Sequence, residues 1–455
     1  MGAPTPLLSD SLDSGAPERL VAREMLTLQQ QLSRNERLPR ETVRQHQFRM
    51  LKSLAHFAHA TTPYYQRIDM GLLARAATLE EALQALPILE RAQLVDGADA
   101  LRARQLPQGY TVVGHKRSSG TSGQPIEVLS TNVDARWQAA LTFRAQLWAK
   151  RDFAGCIAVI RHQRGNKEAG DDGDDLPAWG AAAAFPVPTG RSYHLSTRAS
   201  LEQQWDWLGR KRPDYLMAYP SIVRAFAARA ARDGSGPCRL RGITTVGETV
   251  GDDLRDLATE FLGADIHDTY SCEEIGVVAV QCSECRRYHA MDDAVIVEIV
   301  DADGNPCRPG EVGRILVTPL LGYATPLLRY DIGDLAEASD GCTCGRHLTT
   351  LNRIAGRVRN IFKRRDGTTF WPSFGTRSKA FPKVRQYQFR QLDYDTLEVV
   401  LAVAAPLTPA EEDDARRIIL SRLPAPIGVR FTYVDHIDRT PGGKYEEFVC
   451  LINSA

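Results

Sequence analysis

Residues 117–125 read Arg117-Ser118-Ser119-Gly120-Thr121-Ser122-Gly123-Gln124-Pro125, a hydroxyl- and glycine-rich run that follows the apolar stretch Tyr110 to Val113. Such a run can hold phosphate. Glycines let the backbone approach a polyanion and take positive φ, hydroxyls donate directly, and successive backbone N–H groups form an anion nest without net charge on the domain around them. An ordinary Ser/Gly turn is the plain alternative. A Walker-type loop demands GxxxxGK[ST], whereas the one Gly-Lys pair, Gly443-Lys444, is followed by Tyr445 and lacks the earlier glycine. The Walker reading fails.

The rest of the chain fits a loop that works by local contacts. Lys plus Arg number 56 and Asp plus Glu number 56, so no global field gathers nucleic acid or an anionic membrane surface. Any polyanion must be held by placed donors. At 455 residues with 43% hydrophobic and 25% charged content, the chain is long enough for several packed domains of an ordinary globular kind. No apolar run reaches the roughly 18–20 residues that span a bilayer, and the first residues lack a basic segment followed by an apolar one. A cytoplasmic protein is expected, with no membrane and no nucleic-acid partner.

Residues 1–16 lack periodicity and read as a flexible leader. From Pro17 to Ala60 the pattern is helical, with Met50, Leu51, Leu54, Phe57 and Ala58 on one face. Gly165 to Gly190 reads as a long loop, and Asp171, Asp172, Asp174 and Asp175 in it lack the ordered spacing of a calcium loop. Between Arg239 and Val300, apolar runs at Ile243–Val246 and Ala294–Ile299 alternate with the amphipathic stretch Asp252–Phe261, which predicts α/β layers. The tail forms a β-α-β unit of its own: a strand at Leu397–Val403, a helix opened by Thr408-Pro409-Ala410-Glu411 with a hydroxyl cap and a capping-box Glu, and a strand through Val429, Phe431 and Tyr433.

From Pro63 to the C-terminus the chain resembles the adenylate-forming superfamily, and within it the phenylacetate-CoA ligase family. Seven strings fall in that family's order: SSGTSGQP at Ser118–Pro125, LMAYPSIVRAFA around Tyr219-Pro220-Ser221, VGETV at Val246–Val250, HDTYSCEEIG at His267–Gly276, LLRYDIGDLA with Asp334, GRVRNIFKRRDG with Arg357, and RTPGGKYEEF with Lys444. The resemblance implies an α/β (α+β multidomain) fold, with a large N-terminal ATP- and acyl-binding domain over 17–355 and a small mobile C-terminal lid over 356–455. It implies an enzyme that uses ATP and Mg²⁺ to turn a carboxylic acid, aromatic or arylacetic, into an acyl-AMP and then passes the acyl group to coenzyme A. An adenylate-forming ligase with an amine or a carrier protein as acceptor is the competing reading. A homodimer is also allowed.

Residue by residue, Ser119, Gly120, Thr121, Ser122 and Gly123 match the phosphate loop, while Gly247, Glu248 and Thr249 with Asp268, Thr269 and Tyr270 match the segments that sandwich adenine. Tyr270 offers a flat face and Asp268 an acceptor for the amino group. Asp334 suits the ribose hydroxyls, and Arg357 can reach ribose or phosphate oxygens. Lys444, a compact charge on a long stem after Pro441-Gly442-Gly443, can bridge a carboxylate and an α-phosphate that otherwise repel. Glu274 is the Mg²⁺ ligand by its spacing from Tyr270, with Glu273 beside it. Two positions depart from the family: Gln124 stands where a lysine is usual, and Arg359 occupies the hinge position that is often Asp.

Cys282-x2-Cys285 with His289, and Cys342-x-Cys344 with His347, gather soft ligands in two groups among nine cysteines. The density points to a structural zinc site, against a reducible disulfide or unliganded thiols. Similarity to relatives with metal sites selects Cys282, His289, Cys342 and Cys344, while spacing alone equally allows Cys285 in place of His289. A zinc-ribbon binding module without catalysis is the reading from another class, but Arg286, Arg287 and Tyr288 alone make too small a basic, aromatic patch.

Overall fold

The computed structural model describes residues 16–117, 126–162, 172–180, 185–357, 361–370, 383–423, 426–440 and 443–452. Two helices, Ala16–Asn35 and Arg40–Thr61, open the described chain and part at Pro39, the N-cap of the second. Leu51, Leu54 and Ala58 are fully buried as the helical spacing predicts, while Met50 and Phe57 lie half-buried at the edge of that face. Their partner is a twelve-stranded sheet.

Across that sheet the strands run Val295–Val300, Val312–Pro319, Tyr330–Ala338, Thr350–Arg357, Tyr288–Ala290, Gly276–Gln281, Ile266–Cys272, Gly242–Val246, Tyr215–Ala218, Ile157–Arg161, Ser192–Ser196 and Asp174–Leu176. One half is antiparallel and the other, apart from its edge strand, parallel. The change falls at Ile266–Cys272, parallel to Gly242–Val246 and antiparallel to Gly276–Gln281. Ligands of open α/β sheets bind outside the carboxyl ends of their parallel strands.

Sequence pattern explains the packing of both halves. Every residue of Gly242–Val246 is buried, because helices Leu201–Lys211, Pro220–Asp233 and Asp252–Leu257 cover one face with Trp207, Ile222, Phe226 and Leu254. Capping boxes fix helix starts at Thr131 with Asp134 and at Ser200 with Gln203, each satisfying two otherwise orphaned backbone donors. The expected loop around Asp174 instead contains the short edge strand Asp174–Leu176. Its pairing with Ser192–Ser196, and the bonds of Arg191 to Asp175 at 3.0 and 2.8 Å, override the weak local propensity. Exposed acids there suit an edge that must not recruit another strand.

The C-terminal unit has a separate four-stranded sheet, ordered Gly428–Val434, Thr396–Val403, Val384–Gln391 and Phe448–Cys450. Helix Pro409–Leu420 crosses between parallel strands and carries the predicted Thr408/Glu411 capping box. Phe389, Leu397, Val399, Ile419 and Phe448 form its core.

Charge is buried where the N-terminal helices meet the large sheet. Arg144, 2% exposed, donates to Glu36 at 3.0 Å and to Asp293 at 3.0 Å. Next to it, Asp292 accepts from the Thr349 N–H at 2.6 Å, while its other oxygen has no partner among the described residues. Burial pushes the Asp292 carboxyl up to about 6 from an ordinary value of 3.8. A raised folded value gives stability that is fully present below about pH 3.8 and is lost as pH rises through about 6. Chemical denaturation of wild type and Asp292→Asn across that window should therefore show a difference in unfolding free energy that changes by about 3 kcal/mol between its ends. A pH-independent difference would show that Asp292 is not the titrating group.

Candidate active site

The carboxyl end of strand Gly242–Val246 runs into Gly247 at φ +80°. A Cβ there would stand 3.2 Å from the Tyr219 ring and 3.4 Å from Cε of Lys444, a tight fit, and the left-handed backbone itself favours glycine. Lys444 comes from the C-terminal unit. The turn that carries it is closed by Thr440, whose N–H donates to the Lys444 carbonyl at 2.8 Å and whose Oγ1 accepts from the Lys444 N–H at 3.2 Å. Gly443, at φ +75°, approaches His162 and Thr197 so closely that a Cβ would lie 2.7 and 3.0 Å from their atoms. Among the described residues none takes the Lys444 ammonium in a hydrogen bond or ion pair.

Glu248 follows at once, and its carboxylate is engaged by protein. It accepts from the Ser221 N–H at 2.9 Å, from Ser221 Oγ at 3.2 Å and from the Tyr445 N–H at 2.6 Å, with Arg439 at 3.6 Å. Its side chain joins the large domain to the turn around Lys444, an engagement that the adenine-segment reading of Gly247, Glu248 and Thr249 does not include. Thr249 beside it is exposed.

The Ile266–Cys272 strand carries two further candidates into different surroundings. Asp268 is 5% exposed and accepts from Thr245 Oγ1 at 2.5 Å and from the Tyr288 hydroxyl at 2.6 Å. Its two oxygens thus tie the next strand on one side and the next but one on the other, and burial raises its carboxyl above the ordinary range. The Asp268 carboxylate, expected at an adenine amino group, is met here by these two hydroxyls, and Thr269, half-buried, lies on the opposite strand face. Tyr270 packs its ring in the large core instead of presenting an open face, and its hydroxyl donates to Asp334 at 2.7 Å. Burial, with the Asp334 charge next, lifts the Tyr270 hydroxyl well above its ordinary value, so it stays a donor.

Asp334 and Arg357 meet because the ladder between Tyr330–Ala338 and Thr350–Arg357 sets them opposite each other. Arg357 Nε lies 3.0 Å from Asp334 Oδ1 and its Nη1 donates to the Ile332 carbonyl at 3.3 Å. Glu274 is buried and accepts from Arg91 at 2.9 Å; the same Nη1 reaches the Tyr330 hydroxyl at 3.3 Å. Glu273 is exposed. The phosphate-loop candidates Ser119, Gly120, Thr121, Ser122 and Gly123, with Gln124, and the hinge residue Arg359 lie outside the described residues. The loop's two stems are described: Val112–Arg117 pairs antiparallel with Glu127–Thr131, and Lys116 donates to the Ile275 carbonyl at 3.0 Å, beside Glu274.

The cysteine cluster lies elsewhere in the sheet. The ligand atoms of Cys282, His289, Cys342 and Cys344 all fall within 4.8 Å of one another, and the donor set suits a tetrahedral ion. His289 brings Nε2 to 3.2 Å from Cys344 Sγ, and burial pushes its imidazole down to about 4, the neutral form a ligand needs. Cys285 Sγ stands 2.8 Å from Cys342 Sγ, a fifth donor at the margin. His347 turns away to the Leu38 carbonyl at 2.9 Å.

Sequence reasoning missed Arg91, Thr440, Arg439 and Tyr445. The last three flank Lys444 in the quoted RTPGGKYEEF and were within reach; Arg91 sits alone on a helix with no motif around it.

No family model matches the chain. It is 28% identical over 339 residues to a phenylacetate-coenzyme A ligase of Thermus thermophilus, covering 72% of this chain and 73% of that one. To the phenylacetate-coenzyme A ligase of Pseudomonas putida it is 25% identical over 395 residues, covering 83% and 86%. Among solved structures it resembles 2-hydroxyisobutyryl-CoA ligase in the postadenylation state with 2-HIB-AMP, at TM-score 0.72 and 17% identity over 92% of this chain and 91% of that one. Against the same ligase with 2-HIB-AMP and CoA in the thioesterification state the TM-score is 0.60, at 18% identity over the same shares. The chain is a relative of phenylacetate-coenzyme A ligases and has the fold of adenylate-forming CoA ligases.

Proposed function

We propose that the protein is an ATP-dependent acid–thiol ligase that joins a carboxylic acid to AMP, releasing pyrophosphate, and then transfers the acyl group to coenzyme A. The observation that carries this is the position of Lys444, carried by the C-terminal unit with its own four-stranded sheet, at the carboxyl end of the parallel strand that runs into Gly247. Attack of a carboxylate on an α-phosphate brings two anions together, and a cation fixed at their meeting point stabilises the charge that develops. Lys444 is that cation. The Asp334 carboxylate keeps acceptor capacity beyond its bonds to Tyr270 and Arg357, enough for two ribose hydroxyls. Arg357 offsets its charge and leaves further guanidinium donors for the nucleotide.

Glu274, with Arg91 on one oxygen, is a single buried carboxylate of the sort that holds Mg²⁺ jointly with substrate phosphates. Bound there, the ion would neutralise charge on those phosphates. The names of the relatives support an aromatic or arylacetic acid as substrate. The nine free thiols support a reducing, cytoplasmic setting. Cys282, His289, Cys342 and Cys344 would hold a zinc ion of structural type.

Two measurements test these assignments. Acid-dependent exchange of labelled pyrophosphate into ATP, screened over aryl and alkyl acids, should proceed with at least one acid. Lys444→Ala should lower the rate by 10²-fold or more at unchanged melting temperature, as expected on removing a principal charge-stabilising donor. Absence of exchange with every acid, or near-normal exchange in that variant, would overturn the reading. Elemental analysis should find about one zinc per chain, and chelation should free thiols and lower the melting temperature; a metal-free protein with unchanged melting on chelation would remove zinc from the account.

A further inference from the structure

Resting on the ligase reading, we propose that Glu248 is a positioning residue for the adenylation half-reaction: it sets Lys444 by gripping the residues on either side of it. The grip is two-sided. Tyr445, directly after the lysine, donates its N–H to Glu248 Oε1 at 2.6 Å. Arg439, just before the Thr440–Lys444 turn, lies 3.6 Å from the same oxygen. Arg439 also donates to the Gly443 carbonyl at 3.2 Å and to Ser221 Oγ at 3.0 Å, while Ser221 Oγ donates to Glu248. One carboxylate of the large domain is therefore linked directly or through one bond to Arg439, Gly443 and Tyr445.

Two features make the contact selective for one pose. Glu248 directly follows Gly247, over whose backbone the Lys444 stem lies, so strand end and lysine are indexed to each other by adjacent residues. The side chain is only 8% exposed, and burial raises its carboxyl above the ordinary range. Its partners from the small unit, the Tyr445 N–H and Arg439, reach it only in this docked arrangement, so the contact belongs to one pose of that unit. A second clasp, Arg224 between Asp253 at 2.6 Å and Glu447 at 3.1 Å, holds the unit itself but touches neither neighbour of the lysine. That separates docking from aiming.

Glu248→Ala and Glu248→Gln test this in the full-length protein. Because misplacing a catalytic group by about 1 Å costs on the order of 10²-fold, the maximal rate of pyrophosphate exchange should fall about 10²-fold in Glu248→Ala, with affinity for Mg·ATP by calorimetry within about twofold of wild type. Glu248→Gln, which keeps an acceptor for the Tyr445 N–H, should recover much of the rate. Conversion of preformed acyl-adenylate to the CoA thioester should fall far less than exchange. In Glu248→Ala, hydrogen exchange at the Tyr445 amide should rise while the core strands stay protected.

Each contrary result overturns the assignment. Loss of ATP affinity at unchanged maximal rate makes Glu248 a nucleotide contact; equal loss in both half-reactions with a lower melting temperature makes it a fold residue; and retained protection at Tyr445 removes the grip. The amide readout needs no acid, so it judges Glu248 even where wild type shows no exchange, an outcome that instead defeats the ligase reading.

Discussion

Two glycines lie where the large domain meets the turn that carries Lys444, each with side chains packed closely against it. Gly247 ends a parallel strand under the Lys444 stem, and Gly443 presses the lysine's own turn against His162 and Thr197. Both take a positive φ, at +80° and +75°. A Cβ at Gly443 would stand 2.7 Å from His162 and force the turn away, while one at Gly247 would crowd the Tyr219 ring at 3.2 Å on a backbone that side chains rarely adopt. The rest of the architecture supplies surfaces that make this approach reproducible: a rigid strand end on one side, a turn closed by Thr440 on the other, and Glu248 between them.

Rigidity on the large-domain side comes from polar ties across the sheet as well as from the apolar core. Asp268 is buried between hydroxyls of Thr245 and Tyr288, which fastens the Ile266–Cys272 strand at the place where the sheet changes from parallel to antiparallel. Two residues on, the Tyr270 hydroxyl reaches Asp334, which also meets Arg357. Buried polar groups cost stability unless satisfied, so each such tie fixes one geometry. The chain's neutral balance is met locally in the same way: anionic ligands would find placed cations whose carboxylate partners are already seated.

The sequence was most legible where local chemistry decides structure. The Thr408/Glu411 capping box, the β-branched Gly242–Val246 strand and the clustered thiols could be read because their cause lies within a few residues. The role of Glu248 could not. Its neighbours in the string VGETV give no sign that Tyr445 and Arg439, nearly two hundred positions later, fill its oxygens. The burial of Asp268 and Tyr270 was hidden for a related reason: a motif gives the order of residues along a strand, while burial depends on which strands lie beside it. The Asp174–Leu176 edge strand escaped notice because its pairing is tertiary and its composition is that of a loop.

The cysteine cluster stands apart from the chemistry yet bears on it through strand register. Cys282 directly follows the Gly276–Gln281 strand, His289 lies on Tyr288–Ala290, and Cys342 and Cys344 come just after Tyr330–Ala338. These are the strands that also carry, or follow directly upon, Glu274, Tyr288 and Asp334. A slip of one residue in a strand turns every side chain to the other face, and the Tyr330–Ala338 ladder with Thr350–Arg357 already contains two irregularities. A metal held by Cys282, His289, Cys342 and Cys344 would join the ends of these strands and so oppose such slips at a distance from Asp334 and Arg357.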